Sequence, residues 1–216
     1  VAIVRLSGPH SQKAVEVLTK KCTPKERQAG VRTLFHPQSK VPIDKALVLY
    51  FKGPRSFTGE DMAEFHLHGG QAIIKSCLEA ISTIDPHSFR VAERGEFSRR
   101  AFENNKMDLT EVEGLNDLIN AETEFQRLQA FGQMSGRLGN LYESWRSQII
   151  ECLAHVEATI DFGEDAALDE QHLLQGITSK LKVIESEMKQ HLNDKYRGQR
   201  LRDGLKIAIV GSPNAG

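Results

Sequence analysis

S-F-T-G-E-D-M-A-E-F-H-L-H-G-G, residues 56–70, is the stretch around which the rest of this chain is organised. After an acidic turn it alternates with period two, which predicts a half-buried β-strand. The apolar positions of the alternation are Ala63, Phe65 and Leu67, and the polar positions are Glu64, His66 and His68. Gly69-Gly70 and a helical pattern over residues 73–81 follow. A strand, a glycine turn and a helix N-terminus together offer backbone N–H groups to a ligand, so the stretch predicts a binding site.

The polar face of this strand carries one carboxylate and two imidazoles. A metal site would need another cluster of ligands, and none of matching character stands out in the sequence, so histidines with a structural role beside a binding surface are favoured. Glu64 has a better use, because a fixed carboxylate can accept two adjacent N–H donors from the edge of a pterin or purine. Cations such as Arg5 and Lys106 could hold the anionic or carbonyl parts of the same ligand.

Strand and helix patterns alternate over residues 1–105, which predicts one α+β domain. Its first strand, residues 1–6, is almost continuously apolar, as in a strand covered on both faces, and Arg5 in it needs a partner or water. Further expected elements are a helix around Ala14, Val15 and Leu18, loop and edge structure over 23–45, strands over 46–51 and 88–91, and a helix carrying Phe97 that ends at Asn104-Asn105.

Residues 106–204 have a helical pattern and predict a bundle domain. Thr110 and Glu113 fit a capping box. Apolar residues then recur at helical spacing to Ile160, which predicts two long helices, or one helix that bends near the glycines Gly132, Gly136 and Gly139. A further helix covers 174–192, and the apolar residues of these helices are interpreted as bundle core. The basic segment 195–202 is interpreted as a solvated linker in preference to an RNA-binding patch.

The last twelve residues, 205–216, read as a buried-type strand, L-K-I-A-I-V, followed by G-S-P-N-A-G. A strand followed by G-x-x-x-x-G matches the first six positions of a phosphate-binding P-loop, in which backbone N–H groups point at the phosphate. The pattern predicts the start of a nucleotide-binding domain.

Composition narrows the classes of protein. The chain has 216 residues with 28 Lys and Arg against 29 Asp and Glu, so it is not globally attracted to nucleic acid or membranes. Its three cysteines are far apart and fit a reducing compartment without disulfides. No apolar run is long enough to span a bilayer, and no leader is visible. Because the chain starts inside a strand and stops inside a P-loop, we expect a fragment truncated at both ends.

Four motifs in this order carry a resemblance to a known family: S-F-T-G-E-D…E-F-H-L-H-G-G, R-G-E-F-S-R-R-A-F-E-N-N-K-M-D-L-T-E-V-E-G-L-N-D-L-I, A-x-I-D-F and G-S-P-N-A-G. With them the chain resembles the MnmE (TrmE) family of tRNA-modifying GTPases over essentially all its residues. The resemblance implies an amino-terminal tetrahydrofolate-binding domain that forms a homodimer (1–105), the first half of a helical domain (106–204), and the first strand and partial P-loop of a Ras-like GTPase domain (205–216).

The resemblance also implies roles for single residues. The family binds a folate one-carbon donor, 5-formyl- or 5,10-methylene-tetrahydrofolate, through an arginine, a glutamate and a lysine that match Arg5, Glu64 and Lys106. Its P-loop matches Asn214, Ala215 and Gly216 as GTP-binding residues, and the asparagine, Asn214 here, also binds potassium. The full-length GTPase uses GTP, Mg²⁺ and K⁺.

The family acts with MnmG, an FAD protein, to modify carbon 5 of the wobble uridine in certain tRNAs. The wording of this copy is nearer to the mitochondrial branch, so a mitochondrial location is expected, with a bacterial-type cytoplasmic one as the alternative. Lacking the P-loop lysine and the magnesium ligand, this chain alone is expected to be inactive as a GTPase. Alternative functions are a folate-dependent one-carbon-transfer module and a non-catalytic dimerisation scaffold.

Overall fold

A computed structural model describes residues 1–162 and 170–193, together with residues 208, 210 and 211. The chain divides into two compact units, Val1–Asp108 and Leu109–Gly216. The observed division between the units follows residue 108. The domain boundaries expected from the sequence, after residues 105 and 204, stay predictions.

The first unit is built on one antiparallel sheet. Its strands are β1 (Ala2–Ser7), β2 (Gly30–Phe35), β3 (Pro42–Phe51) and β4 (Met62–Leu67), in the spatial order β1-β4-β3-β2. Its helices are α1 (Ser11–Thr19), α2 (Gln71–Ser82) and α3 (Glu96–Glu103). Strands and helices in one unit, followed by a helical unit, confirm the predicted α+β class with a helical second part.

The core of the first unit lies between one face of the sheet and helices α1 and α2. Ala63, Phe65 and Leu67 of β4 are fully buried in it, so the period-two pattern identified the inner face correctly. Val15 and Leu18 of α1 reach the same core, because residues three apart lie on one side of a helix. The outer face of β4 keeps Glu64 and His66 half-exposed.

Three predictions for this unit need correction. The first strand is not covered on both faces: β1 lies at the sheet edge, and Ile3 is 53% exposed. Residues 88–91 form no strand. They are an irregular segment whose Phe89 side chain is buried, and an alternating apolar pattern does not distinguish such a segment from a strand. Residues 23–45 are more regular than expected, because β2 forms the other sheet edge and β3 starts at Pro42.

The described elements of the second unit are all helices. They are α4 (Leu109–Asn120), α5 (Glu124–Met134), α6 (Arg137–Phe162) and α7 (Glu170–Leu192). The predicted final helix is confirmed as α7. Helix α4 contacts α5, and α6 contacts α7. No helix in the described part of the chain is long and apolar enough to cross a membrane.

Helix boundaries in this unit differ from the prediction in two places. Helix α4 begins at Leu109, so Thr110 lies inside the first turn and not at the N-cap. A break at residues 121–123 was missed: Thr123 caps α5 by accepting a hydrogen bond from the Gln126 N–H, and the Gln126 side chain completes a capping box. The break expected among the glycines occurs at Gly136, whose φ of +75° ends the helical path.

The expectation that the apolar residues of these helices form a bundle core is only partly met. Trp145, Cys152, Ile177 and Ile184 are buried in the second unit. Other residues of the same periodic pattern are exposed, among them Phe125, Leu128, Ile149, Leu174 and Leu181. Periodicity identifies the apolar side of a helix but not what covers it.

The predicted strand over 205–210 falls mostly outside the described residues. Ala208 and Val210, which are described, are exposed and are not assigned to a strand. The P-loop residues Asn214, Ala215 and Gly216 and the basic linker also lie outside the described residues.

Candidate functional site

Arg5 of β1 and Glu64 of β4 are directly opposed in the antiparallel ladder. Residues opposed in this way project from the same face of a sheet. That face is the outer one, because the neighbouring Phe65 enters the core. The Glu64 carboxylate is 21% exposed and contacts Nε2 of His66, two residues along the same strand, at 3.2 Å. The fold therefore brings together a cation and a carboxylate that are 59 positions apart in sequence, at residues 5 and 64.

Aromatic rings hold the Arg5 side chain. Its guanidinium carbon lies 4.9 Å from the ring centroid of Phe97 in α3 and 5.8 Å from that of Phe57. Arg5 forms no ion pair with any described residue. A guanidinium over a ring face is attracted by the ring quadrupole and keeps its hydrogen-bond donors free at the edges.

Lys106 lies just past α3, next to the loop that joins β3 to β4. Its backbone N–H donates to the Ala101 carbonyl at 2.8 Å. Its Cγ is 3.4 Å from the position that a Cβ on Gly59 would occupy, and Asn104 Nδ2 donates to the carbonyl of Thr58 at 2.8 Å. The loop over residues 57–59 thus contacts Arg5 through Phe57 and Lys106 through Gly59. The third predicted folate-binding residue, Glu64, lies beside Arg5 on the sheet.

Glu96 organises the cationic side of this region. Its carboxylate is buried and accepts hydrogen bonds from both terminal nitrogens of Arg90, from the backbone N–H of Glu93, and from Nε and NH2 of Arg100. These hydrogen bonds, from Arg90 first, then Glu93 and Arg100, lower the pKa of Glu96 to about 2. Glu96 is therefore ionised at every physiological pH.

Arg100 links α3 to β1 and to the β3–β4 loop. It donates to Glu60 at 2.7 Å and to the Ser7 carbonyl at 3.4 Å. The Ser7 hydroxyl also donates to Glu60 at 2.7 Å and lies 2.6 Å from the Thr58 hydroxyl. These contacts hold α3 against β1 and the β3–β4 loop, and they thereby position Phe97.

His68 closes the end of β4. Its backbone N–H and its Nδ1 contact the two oxygens of Asp44 in β3 at 2.9 and 2.8 Å. Burial alone would raise the pKa of Asp44, but these contacts and the Lys45 N–H lower it. His68 thus has a structural partner, as the sequence favoured, and no group of three or more His, Cys, Asp or Glu side chains that could hold a metal occurs among the described residues.

A groove of about 520 Å³ runs along the free edge of β1. Arg5 and Phe97 line it, together with Ile74 and Leu78 of α2. The described residues that line it include neither Glu64 nor Lys106. Of the three predicted folate-binding residues, Arg5 therefore lines the groove, Glu64 shares the outer sheet face with Arg5, and Lys106 lies beside the loop over residues 57–59.

Two features of this region were not predicted from the sequence. The contacts of Phe57 and Phe97 with Arg5 join distant segments and have no local signal. The Glu96 cluster had one, because Glu96 and Arg100 stand four residues apart, the spacing of an ion pair on one helix face.

Comparison with known proteins gives consistent matches along the chain. Residues 1–106 match the family described as GTP-binding protein TrmE N-terminus, and residues 109–206 match the MnmE helical domain. The chain is 52% identical over its whole length to the mitochondrial 5-taurinomethyluridine-tRNA synthase subunit GTPB3 of Danio rerio and 49% identical to that of Homo sapiens, covering 42% and 44% of those proteins. It is 46% identical to the tRNA modification GTPase MnmE of Parvibaculum lavamentivorans, covering 48% of it. The chain thus spans less than half the length of these relatives.

Proposed function

Because this chain belongs to the MnmE (TrmE) family, we propose that the whole protein is a GTP-hydrolysing tRNA-modification enzyme. In this proposal it acts with a flavoprotein partner of the MnmG type and uses a folate one-carbon unit to modify carbon 5 of the wobble uridine in certain tRNAs. Residues 1–105, together with Lys106 directly after them, supply the folate site, and residues 106–204 begin the helical domain that carries the GTPase domain.

The observation that carries the folate part is the convergence of Arg5, Glu64 and Lys106. Arg5 and Glu64 are opposed on one sheet face, and Lys106 lies across the loop that also touches Arg5. A pterin presents adjacent N–H donors that a carboxylate can accept in pairs, while folates carry carboxylate and carbonyl groups that cations can hold. Glu64 would bind the pterin edge, and Arg5 and Lys106 the acceptor groups of 5-formyl- or 5,10-methylene-tetrahydrofolate.

The outer face of the sheet supports homodimerisation through the first unit. A cross-strand row runs over Ile3, His66, Leu47 and Val31, one residue from each strand. The two ends of this row, Ile3 and Val31, are 53% and 57% exposed. His66 and Leu47 between them are partly buried, so the exposed apolar side chains lie at the two edges of the sheet face, where a partner could cover them. A second copy that covers this row would also adjoin the folate site.

The GTPase part concerns residues outside those that the structure describes. We expect Asn214, Ala215 and Gly216 to contact GTP, with Asn214 also binding potassium, and Mg²⁺ to be held by the whole protein. Since relatives named as mitochondrial and as bacterial both match, a mitochondrial location is the first proposal and a bacterial-type cytoplasmic one the alternative.

Calorimetric titration of 5-formyl-tetrahydrofolate into this chain tests the folate part. Glu64→Gln keeps the side-chain volume but removes the charge, and we expect it to weaken binding about 10- to 100-fold, the range for a charge-assisted hydrogen bond. Glu79→Gln, on the exposed surface of α2, is the matched control and should bind like the parent. No saturable binding by the folded chain, or equal binding by Glu64→Gln, would contradict the folate site. Absence of binding by a folded homodimer would favour the scaffold alternative.

The tRNA part is tested in cells with the whole protein. Disruption of its gene should abolish the carbon-5 modification of wobble uridine, measured by mass spectrometry of tRNA nucleosides. Retention of the modification would contradict the proposal independently of folate binding.

A further inference from the structure

The cation and the carboxylate at the candidate site are opposed but do not bind each other. In an antiparallel ladder an arginine directly opposite a glutamate is a favourable pair that ordinarily forms an ion pair. Here Arg5 and Glu64 are opposed, yet no nitrogen of Arg5 lies within 4.0 Å of the Glu64 carboxylate. Glu64 instead contacts His66 at 3.2 Å. Some other contact must compete for the guanidinium.

That contact is the ring of Phe97. The Arg5 guanidinium carbon is 4.9 Å from its centroid, and the Phe57 ring is more distant at 5.8 Å. A cation–π contact at an exposed site contributes about as much to stability as an exposed ion pair does. Phe97 thus offers Arg5 an alternative to Glu64 at little cost in stability.

Phe97 can do this because its helix is fixed. The residue before it, Glu96, is only 3% exposed and is bound by Arg90 and Arg100. Arg100 in turn donates to Glu60 and to the carbonyl of Ser7, two residues after Arg5 on β1. The first turn of α3 is therefore tied to the same strand that carries Arg5. The start of α3 cannot move away from β1 without breaking these partly buried charged hydrogen bonds.

We propose that Phe97 is a positioning residue that holds the Arg5 guanidinium away from Glu64, so that the cation and the carboxylate present separate charges to the ligand. An Arg5–Glu64 ion pair would satisfy both groups and would have to be broken before either could bind a ligand. The role of this separation in binding rests on the proposed folate function, whereas the separation itself belongs to the unliganded chain.

The first test measures the contact without ligand. The Arg5 Nε–Hε signal, assigned by its absence in Arg5→Lys, should show an upfield ring-current shift in NMR spectra of the parent. Phe97→Tyr should keep the shift, and Phe97→Leu, which is apolar but not aromatic, should lose it. An unchanged Arg5 signal in Phe97→Leu would overturn the proposal. The outcome of this test does not depend on whether the chain binds folate.

The second test asks whether Phe97 acts through Arg5. Phe97→Leu should weaken binding of 5-formyl-tetrahydrofolate about 3- to 30-fold, while Phe97→Tyr should stay within about twofold of the parent. In the Arg5→Ala background, Phe97→Leu should have almost no further effect on affinity. An equal loss in both backgrounds would mean a purely structural role and would overturn the proposal. If the parent shows the ring-current shift but binds no folate, the proposed function fails while the contact of Arg5 with Phe97 is upheld.

Discussion

Glu96 and Arg100 form a two-point ion pair within α3, with Nε and NH2 of Arg100 at 3.2 and 2.7 Å from the same carboxylate oxygen. Arg90, which precedes α3 in the chain, binds the same carboxylate, so one buried negative charge joins two cations. The pair orients Arg100, and Arg100 in turn donates to the carbonyl of Ser7 in β1, which links the helix that carries Phe97 to the strand that carries Arg5.

The first prediction concerns the pH dependence of stability. The pKa of Glu96 is lowered to about 2, below its value near 4.5 in an unfolded chain, so its contribution is present above pH 4.5 and is lost as the pH falls toward 2. Glu96→Gln should be less stable than the parent at pH 7, and the difference should narrow steadily below pH 4.5. Urea unfolding midpoints from pH 7 to pH 2.5 measure this.

The matched control for Glu96 is Glu103→Gln in the same helix. Glu103 is 62% exposed, and the ion pair that it forms with Arg99 is long at 3.9 Å. Exposed pairs contribute little to stability, so this variant should follow the parent at every pH. A gap between the parent and Glu96→Gln that stays constant from pH 7 to pH 2.5 would show that the lowered pKa is not the cause.

The second prediction concerns Lys106. Its ammonium group is exposed and forms no ion pair with any described residue, so its charge is available to an anionic ligand. Lys106→Gln should weaken binding of 5-formyl-tetrahydrofolate about tenfold, and the difference should shrink at high salt because exposed charges are screened. Lys75→Gln, on the surface of α2, is the control with the same change in net charge. Calorimetry in which both variants bind alike would remove Lys106 from the site.

The third prediction concerns the contact between α6 and α7. Ile184 is 2% exposed, whereas its neighbour Val183 is 57% exposed. Ile184→Ala should lower the free energy of unfolding by about 2–4 kcal/mol because it leaves a cavity. Val183→Ala should change it by less than about 0.5 kcal/mol.

Fluorescence of Trp145, the only tryptophan of the chain, reports unfolding of this contact. The Trp145 indole donates to Glu187 of α7 at 2.9 Å, so its emission should change when α6 and α7 separate. If both alanine variants shift the unfolding midpoint equally, Ile184 is not buried between the helices in solution.

Local patterns predicted the elements well where the physical cause is itself local. Period two in β4 follows from the pleat, which sends Phe65 inward and Glu64 outward whatever lies on either side. The end of α3 at Asn104-Asn105 was also predictable, because Asn105 adopts the left-handed conformation that asparagine tolerates. Missed or misplaced features depended on partners. Residues 88–91 have the composition of a strand, but a strand forms only where a neighbouring strand can pair with it.

The sequence by itself determined the class of the fold, the inner and outer faces of β4, the family resemblance and the three charged residues of the proposed folate site. It did so because side-chain periodicity and motif spacing are encoded within short segments. Only the tertiary structure decided that Arg5 stands opposite Glu64, rests on Phe97 and is steadied by Glu96, and that several apolar helix faces of the second unit remain exposed. Those relationships join segments far apart in the chain, and their geometry follows from how the sheet and helices pack, which no local pattern specifies.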